Sequence, residues 1–293
     1  VGTIIGTPPN ALLVAYMKNE FNIEIGFFDW MLVGVPLSVV MLAACWFLLT
    51  YVLFRPEIGE IPSGKKIIQD ELDKLGPITI PEKLVGVIFV AAATCWISLG
   101  FILKSFDVKI ASLDAIIAMS TAILLFIVPA NKSGERLIDW DSAKKLPWDI
   151  LILFGGGLSL SAQFSSSGLS LWIGHQVSAL GALPIAAIIM AVVALVIFLT
   201  EITSNTATAA AFLPVIAGVS AGLGYTGANV MIFTIPVAMA ATFAFMLPVA
   251  TPPNAIAYGS GYVKISSMIK AGIWLNIIGI FLITATVIFI ASA

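Results

Sequence analysis

The pentapeptide Thr-Pro-Pro-Asn-Ala occurs twice, at Thr7–Ala11 and Thr251–Ala255, and a Ser-Asn-Thr tripeptide lies at Ser204–Thr206. All three sit in strongly apolar surroundings. A proline removes a backbone donor and clashes with the preceding turn, so each proline pair should split a helix into two halves. Carbonyls just before such a break lose their helical partners and suit a small cation such as Na⁺. The N–H groups opening the next half-helix lie at the positive end of its dipole and, with hydroxyls, suit an anion. A single proline pair is compatible with a plain structural kink. Two identical pentapeptides, in two halves of one chain, favour a binding site built on broken helices.

The elements that must carry these motifs follow from the composition. The chain has 293 residues, 60% hydrophobic and 10% charged, with a mean hydropathy of +1.08. A soluble domain carries about 25% charged residues, and several runs here reach the ~20 apolar residues that cross a bilayer. The fold class expected is an all-α polytopic membrane protein. A net charge of −2 without a basic patch excludes a nucleic-acid partner. Cys45 and Cys95 each lie midway along an apolar run and read as small buried residues.

Along the chain, a short apolar segment at Asn10–Glu20 precedes a span over Trp30–Phe54. Residues 55–83 form a polar connector, whose Lys65–Gly76 portion reads as an amphipathic helix stopped at Gly76-Pro77. Further spans are expected at 84–103, 111–128 and 148–164. An interrupted apolar segment covers 184–219, a broken helix 229–263 and a last span 271–291. Placing the connector, the 131–147 loop, Lys264 and Lys270 in the cytoplasm puts eleven Lys or Arg inside, against Lys18, Lys104 and Lys109 outside. That orientation requires 184–219 to start and end on the outer side, as a re-entrant hairpin tipped by Ser-Asn-Thr. Bare backbone groups cost several kcal/mol each in hydrocarbon, so the tip must be buried in protein or line a watery cavity.

The stretches Thr200–Pro214 (TEITSNTATAAAFLP), Ala244–Gly261 (AFMLPVATPPNAIAYGSG) and Val1–Ala11 (VGTIIGTPPNA) carry a resemblance. With Leu153–Ser161 (LFGGGLSLS) and the KLPWD lead-in, they resemble the divalent anion:sodium symporter (DASS) family, the dicarboxylate transporters. The resemblance implies an inverted-repeat transporter. Residues 1–54 would end the first repeat, 55–83 would be the connector, and 84–293 would form the second repeat. It implies that Ser204, Asn205 and Thr206 bind one substrate carboxylate, with Thr251 and Pro252 closing around it. Thr7 and Pro8 would serve the other carboxylate. Thr200, Thr203, Asn205 and Ala250 would hold one Na⁺, and Gly6 would contribute to a second. It also implies a C4 dicarboxylate substrate (succinate, malate or fumarate), sodium coupling, a homodimer in the plasma membrane and an elevator-like motion. The family pattern places a Ser-Asn-Thr hairpin ahead of each Pro-Pro loop. Ser204 lies 47 positions before Thr251, so the partner of Thr7 falls about 40 residues before Val1, and a longer protein, half as long again, is expected.

Glu201, beside the hairpin tip, reads as an anchor for the hairpin rather than a helper at the sodium site. His175, the only histidine, reads as structural, and Asp149 as a helix start. Trp30, Trp148, Trp172 and Trp274 suit interfacial anchors. A membrane serine protease is the rival from another class. Gly259-Ser260-Gly261 hints at it, but Ala257 breaks the required motif. A transporter of citrate or sulfate, coupled to sodium or protons, a passive channel and a fragment that does not itself transport remain as alternatives.

Overall fold

In hydrocarbon every backbone N–H and C=O must find a partner within the protein, and a helix does this locally. The computed structural model describes residues 1–55, 64–108, 110, 112–131, 134–146, 148–169, 172–173, 176 and 183–292. Among these, every regular element is helical, apart from one isolated bridge between Pro129 and Arg136. The expectations for residues 56–63 of the connector, for Pro147 and for His175 lie outside the described residues.

The helices are α1 (Pro8–Phe21), α2 (Phe27–Phe47, continued by a π-helical turn over Leu48–Leu53), α3 (Gly64–Leu75), α4 (Ile80–Ser105), α5 (Leu113–Ile127) and α6 (Trp140–Ala143). They continue as α7 (Asp149–Ser166), α8 (Ile185–Thr200), α9 (Asn205–Gly222), α10 (Met231–Ala240), α11 (Pro252–Gly259) and α12 (Ile265–Ser292). Among the described residues, four stretches are long and apolar enough to cross a membrane: Phe27–Leu53, Ile80–Gly100, Asn205–Gly222 and Ile265–Ala291.

Contacts gather the chain into two units. One contains Gly26–Phe28 and Phe54–Trp148. In it α4 pairs with α5, Phe27 stacks on Trp96 with ring centroids 5.3 Å apart, and Trp96 donates from Nε1 to the Asp114 carbonyl at 3.2 Å. A reciprocal cap opens α4: Thr79 N donates to Glu82 Oε2 at 2.7 Å, and Glu82 N to Thr79 Oγ1 at 3.4 Å. In α3, Ile68, Leu72 and Leu75 are exposed at helical spacing, and Gly76 ends the helix at φ +69°.

The other unit contains Val1–Ile25, Asp29–Leu53 and Asp149–Ala293. Its core is built around α9, which packs on α1, α7, α8 and α10, while α12 packs on α8 and α10. Buried Ile189, Val193, Val196 and Ile197 of α8 recur at helical spacing, and Leu12, Leu13, Tyr16 and Met17 do the same for α1. In the Gly155-Gly156-Gly157 run only Gly157 meets a neighbour. A Cβ there would lie 2.7 Å from the Ala210 Cβ, so this glycine sets how closely α7 crosses α9.

The sequence reading expects a broken helix over 229–263 whose first half runs up to the second Pro-Pro pair. The structure ends it at Ala240, and residues 241–251 run without regular helix to the second Pro-Pro pair. Side chains from elsewhere in the fold take the place of helical bonds at the N–H groups of residues 245–247 and at the carbonyls of Ala241, Ala244 and Leu247.

Candidate functional site

The apolar segment 184–219 folds as two helices, α8 and α9, joined by a turn at Glu201–Ser204. Ser204 is the N-cap of α9 and makes no side-chain cap bond; Asn205 and Thr206 are the first helical residues. The first helical bond runs from Thr208 N to Ser204 O at 2.8 Å, so the N–H groups of Asn205, Thr206 and Ala207 precede it and are open to an anion.

At the same turn three oxygens meet. The Thr200 Oγ1 lies 2.7 Å from Asn205 Oδ1 and 2.9 Å from the Ala241 carbonyl oxygen, and can donate its single hydrogen to only one of them. Thr200 is fully buried. The Thr203 hydroxyl is otherwise engaged: it donates to the Leu199 carbonyl at 2.9 Å and lies 2.6 Å from Thr208 Oγ1.

The two pentapeptides adopt the same local structure. Thr7 (φ −148°, ψ 147°) and Thr251 (φ −145°, ψ 150°) are extended N-caps, each followed by prolines at the first two helical positions. This corrects the expected donor set. The prolines have no N–H, and the Asn254 N–H goes to Thr251 Oγ1 at 3.3 Å, so no free N–H opens α11 for an anion. The consequence for the carbonyls is the opposite. The helical partners of Ala250 O would be the N–H groups of Pro253 and Asn254; the first does not exist and the second is taken. Gly6 O stands likewise, since Pro9 has no N–H and Asn10 N donates to Thr7 O at 3.2 Å. Thr251 Oγ1 accepts from Asn254, which leaves its own hydrogen free to donate outward. Thr7 Oγ1 is buried without a hydrogen-bond partner.

The structure thus brings Thr200 and Asn205 into direct contact. It links Ala250 and Thr251 to the hairpin through Glu201, whose carboxylate accepts from the N–H groups of Phe245, Met246 and Leu247 at 2.8–3.2 Å. Gly6, Thr7 and Pro8 stand at the start of α1, which packs on α9 and α10. Sequence reasoning missed four participants. The Ala241 carbonyl carries no side-chain signal. Asn276, in the middle of a long apolar helix, was a legible anomaly. So was the asparagine of each pentapeptide: Asn254 Nδ2 donates to the carbonyls of Ala244 and Leu247, and Asn10 Nδ2 to those of Val1 and Thr3.

The chain is 43% identical over 292 residues to the sodium-dependent dicarboxylate transporter SdcS of Staphylococcus aureus strain USA300, and 44% identical to that of strain MRSA252. Each match covers 99% of this chain and 56% of the relative, so the chain spans about half the length of the curated relatives it matches. The model of the sodium:sulfate symporter transmembrane region matches residues 1–291. With the family model matched along virtually the whole sequence and the apolar spans in place, this chain belongs to the sodium:sulfate symporter family and is a multi-pass plasma-membrane protein.

Proposed function

We propose that this chain forms part of a sodium-coupled symporter for C4 dicarboxylates such as succinate, malate and fumarate. The observation that carries the reading is the hairpin turn, where three oxygens share a single hydroxyl hydrogen beside the open N-terminus of α9. The relatives named as sodium-dependent dicarboxylate transporters support it.

In this reading one Na⁺ is held by Thr200, Asn205, and the carbonyls of Thr203 and Ala250. Thr203 contributes its carbonyl because its hydroxyl is engaged with Leu199 and Thr208. When the Thr200 hydrogen settles on the Ala241 carbonyl, the lone pairs of Thr200 Oγ1 and Asn205 Oδ1 are released for the ion. Gly6 offers its carbonyl to a second Na⁺. Ser204, Asn205 and Thr206 receive one carboxylate through hydroxyls, carboxamide and backbone N–H groups, and Thr251 and Pro252 close around it. Thr7 and Pro8 serve the other carboxylate. The motifs contain no Lys or Arg, so bound sodium supplies the only full positive charges facing a dianion, and uptake requires it. The protein works as a homodimer, with the hairpin and half-helices moving in an elevator-like manner.

The test is uptake of labelled succinate by the full-length protein in proteoliposomes. Uptake should need a sodium gradient, be competed by malate and fumarate, and vanish in Asn205→Ala while the protein remains folded. Sodium-independent uptake would sink the proposal. The description of the matching family model names sulfate; competition by sulfate but not by malate would favour that second reading.

A further inference from the structure

Residues 241–251 run non-helically from a buried start at Ala241, Phe243 and Ala244 to half-buried ground at residues 245–248, and the buried part of such a segment is tolerated only if its backbone groups are bonded. Two sets of side chains bond it from opposite sides. On the N–H side, Glu201 Oε1 accepts from Phe245 N (2.8 Å) and Met246 N (3.0 Å), and Oε2 accepts from Met246 N (3.1 Å) and Leu247 N (3.2 Å). Asn276 Nδ2 donates to Glu201 Oε1 at 2.8 Å and holds the carboxylate in place. Glu201 is 3% exposed and Asn276 fully buried. On the carbonyl side, Asn254 Nδ2 donates to Ala244 O at 2.9 Å and Leu247 O at 3.1 Å. Gly272, one turn before Asn276, lets the strap lie against α12: a Cβ there would come within 2.6 Å of the Met246 backbone.

These anchors come from three elements: the hairpin turn, the second half-helix and α12. Glu201 follows Thr200 directly, and Asn254 lies three residues after Thr251. The strap between them ends in Ala250 and Thr251, and Ala250 N donates to the Leu247 carbonyl at 3.2 Å. Its fixed position therefore decides where the Ala250 carbonyl and Thr251 hydroxyl stand relative to Thr200 and Asn205. The first pentapeptide repeats the device: Asn10 bonds the Val1 and Thr3 carbonyls, Gly6 N donates to Thr3 O at 3.1 Å, and a Cβ on Gly34 would meet the Val1 carbonyl oxygen at 2.8 Å.

We propose that Glu201, Asn276 and Asn254 form a two-sided clamp on residues 244–247 that sets the Ala250–Thr251 segment against the Thr200–Asn205 turn, and so act as positioning residues for sodium and the anion. The clamp rests on the symporter reading for its purpose, but its geometry can be tested without it.

Hydrogen exchange across residues 241–251 is followed in the full-length protein without sodium. The sodium concentration giving half-maximal succinate uptake is then measured on the same samples. Glu201→Gln puts an amide donor against backbone donors, and should speed exchange of the 245–247 amides about tenfold while α8 and α12 stay protected. It should raise the half-maximal sodium concentration by about 10- to 100-fold, as loss of a ligand-orienting group does. Asn254→Asp, attacking the carbonyl side, should do likewise even if Glu201→Gln fails to fold. Pairing Glu201→Gln with Asn276→Asp returns one carboxylate to the pocket and should recover part of both losses. Unchanged exchange in the single variants overturns the clamp. Faster exchange with unchanged sodium dependence makes these residues purely structural and overturns the positioning role. Sodium-independent uptake by the unaltered protein defeats the symporter reading instead, and the exchange measurement still decides the clamp.

Discussion

The Thr200 hydroxyl has one hydrogen and two oxygen neighbours, Asn205 Oδ1 at 2.7 Å and the Ala241 carbonyl at 2.9 Å. Thr200→Val keeps the shape and removes the hydroxyl, which leaves the buried Ala241 carbonyl without that donor at a cost of about 1–3 kcal/mol. Thermal unfolding of the purified protein should show the loss, and the half-maximal sodium concentration for uptake should rise by about tenfold or more. Thr200→Ser should retain both. An unshifted sodium dependence in the valine variant would remove Thr200 from the ion site. The family resemblance pointed to Thr200 and Asn205, and the polar break in an apolar segment marked the Ser204–Thr206 tip. They could not point to the Ala241 carbonyl, which every residue possesses and only the fold brings there.

At the scale of elements, the hairpin and the half-helices divide the work. Two prolines at the start of α1 and of α11 withdraw donors and release carbonyls, while α9 begins with open N–H groups. The carbonyl role follows from proline chemistry and was legible in the sequence; the loss of donors at α11 was not, because it depends on Asn254 turning its N–H to Thr251. The crossing of α7 and α9 gives a sharp test among three successive glycines. Gly157→Ala should destabilise by about 1–3 kcal/mol, since its Cβ would sit 2.7 Å from the Ala210 Cβ. Gly156→Ala, which faces open space, should be neutral or gain up to about 1 kcal/mol in helix propensity. Equal melting temperatures for the two variants would show that the close crossing is not a constraint.

For the whole molecule, the basic residues set the orientation: eleven on the expected cytoplasmic side and three outside. In a background lacking Cys45 and Cys95, a single cysteine at exposed Asp107 should react with an impermeant maleimide added to intact cells. Cysteines at Asp73 or Asp141 should react only after the membrane is opened. The reverse pattern would invert the topology. The helical fold class and the positions of the breaks were readable because apolar runs, prolines and glycines act locally. The early end of α10 was not. Residues 241–247 (ATFAFML) are competent helix formers, and what stops them is a carboxylate 44 positions upstream of Phe245 that binds backbone rather than side chains.

Recognition through main-chain amides also determines where this protein is free to drift. The bonding of residues 245–247 is encoded at positions 201, 254 and 276, and to it the segment contributes only N–H and C=O groups. Substitutions at Phe245, Met246 or Leu247 leave the clamp's bonding partners in place, with proline the one exception. A mutational map would therefore find permissive ground at Met246 and Leu247 and intolerance at three distant anchors, so that sequence variability at those two positions would be a poor guide to the importance of the strap.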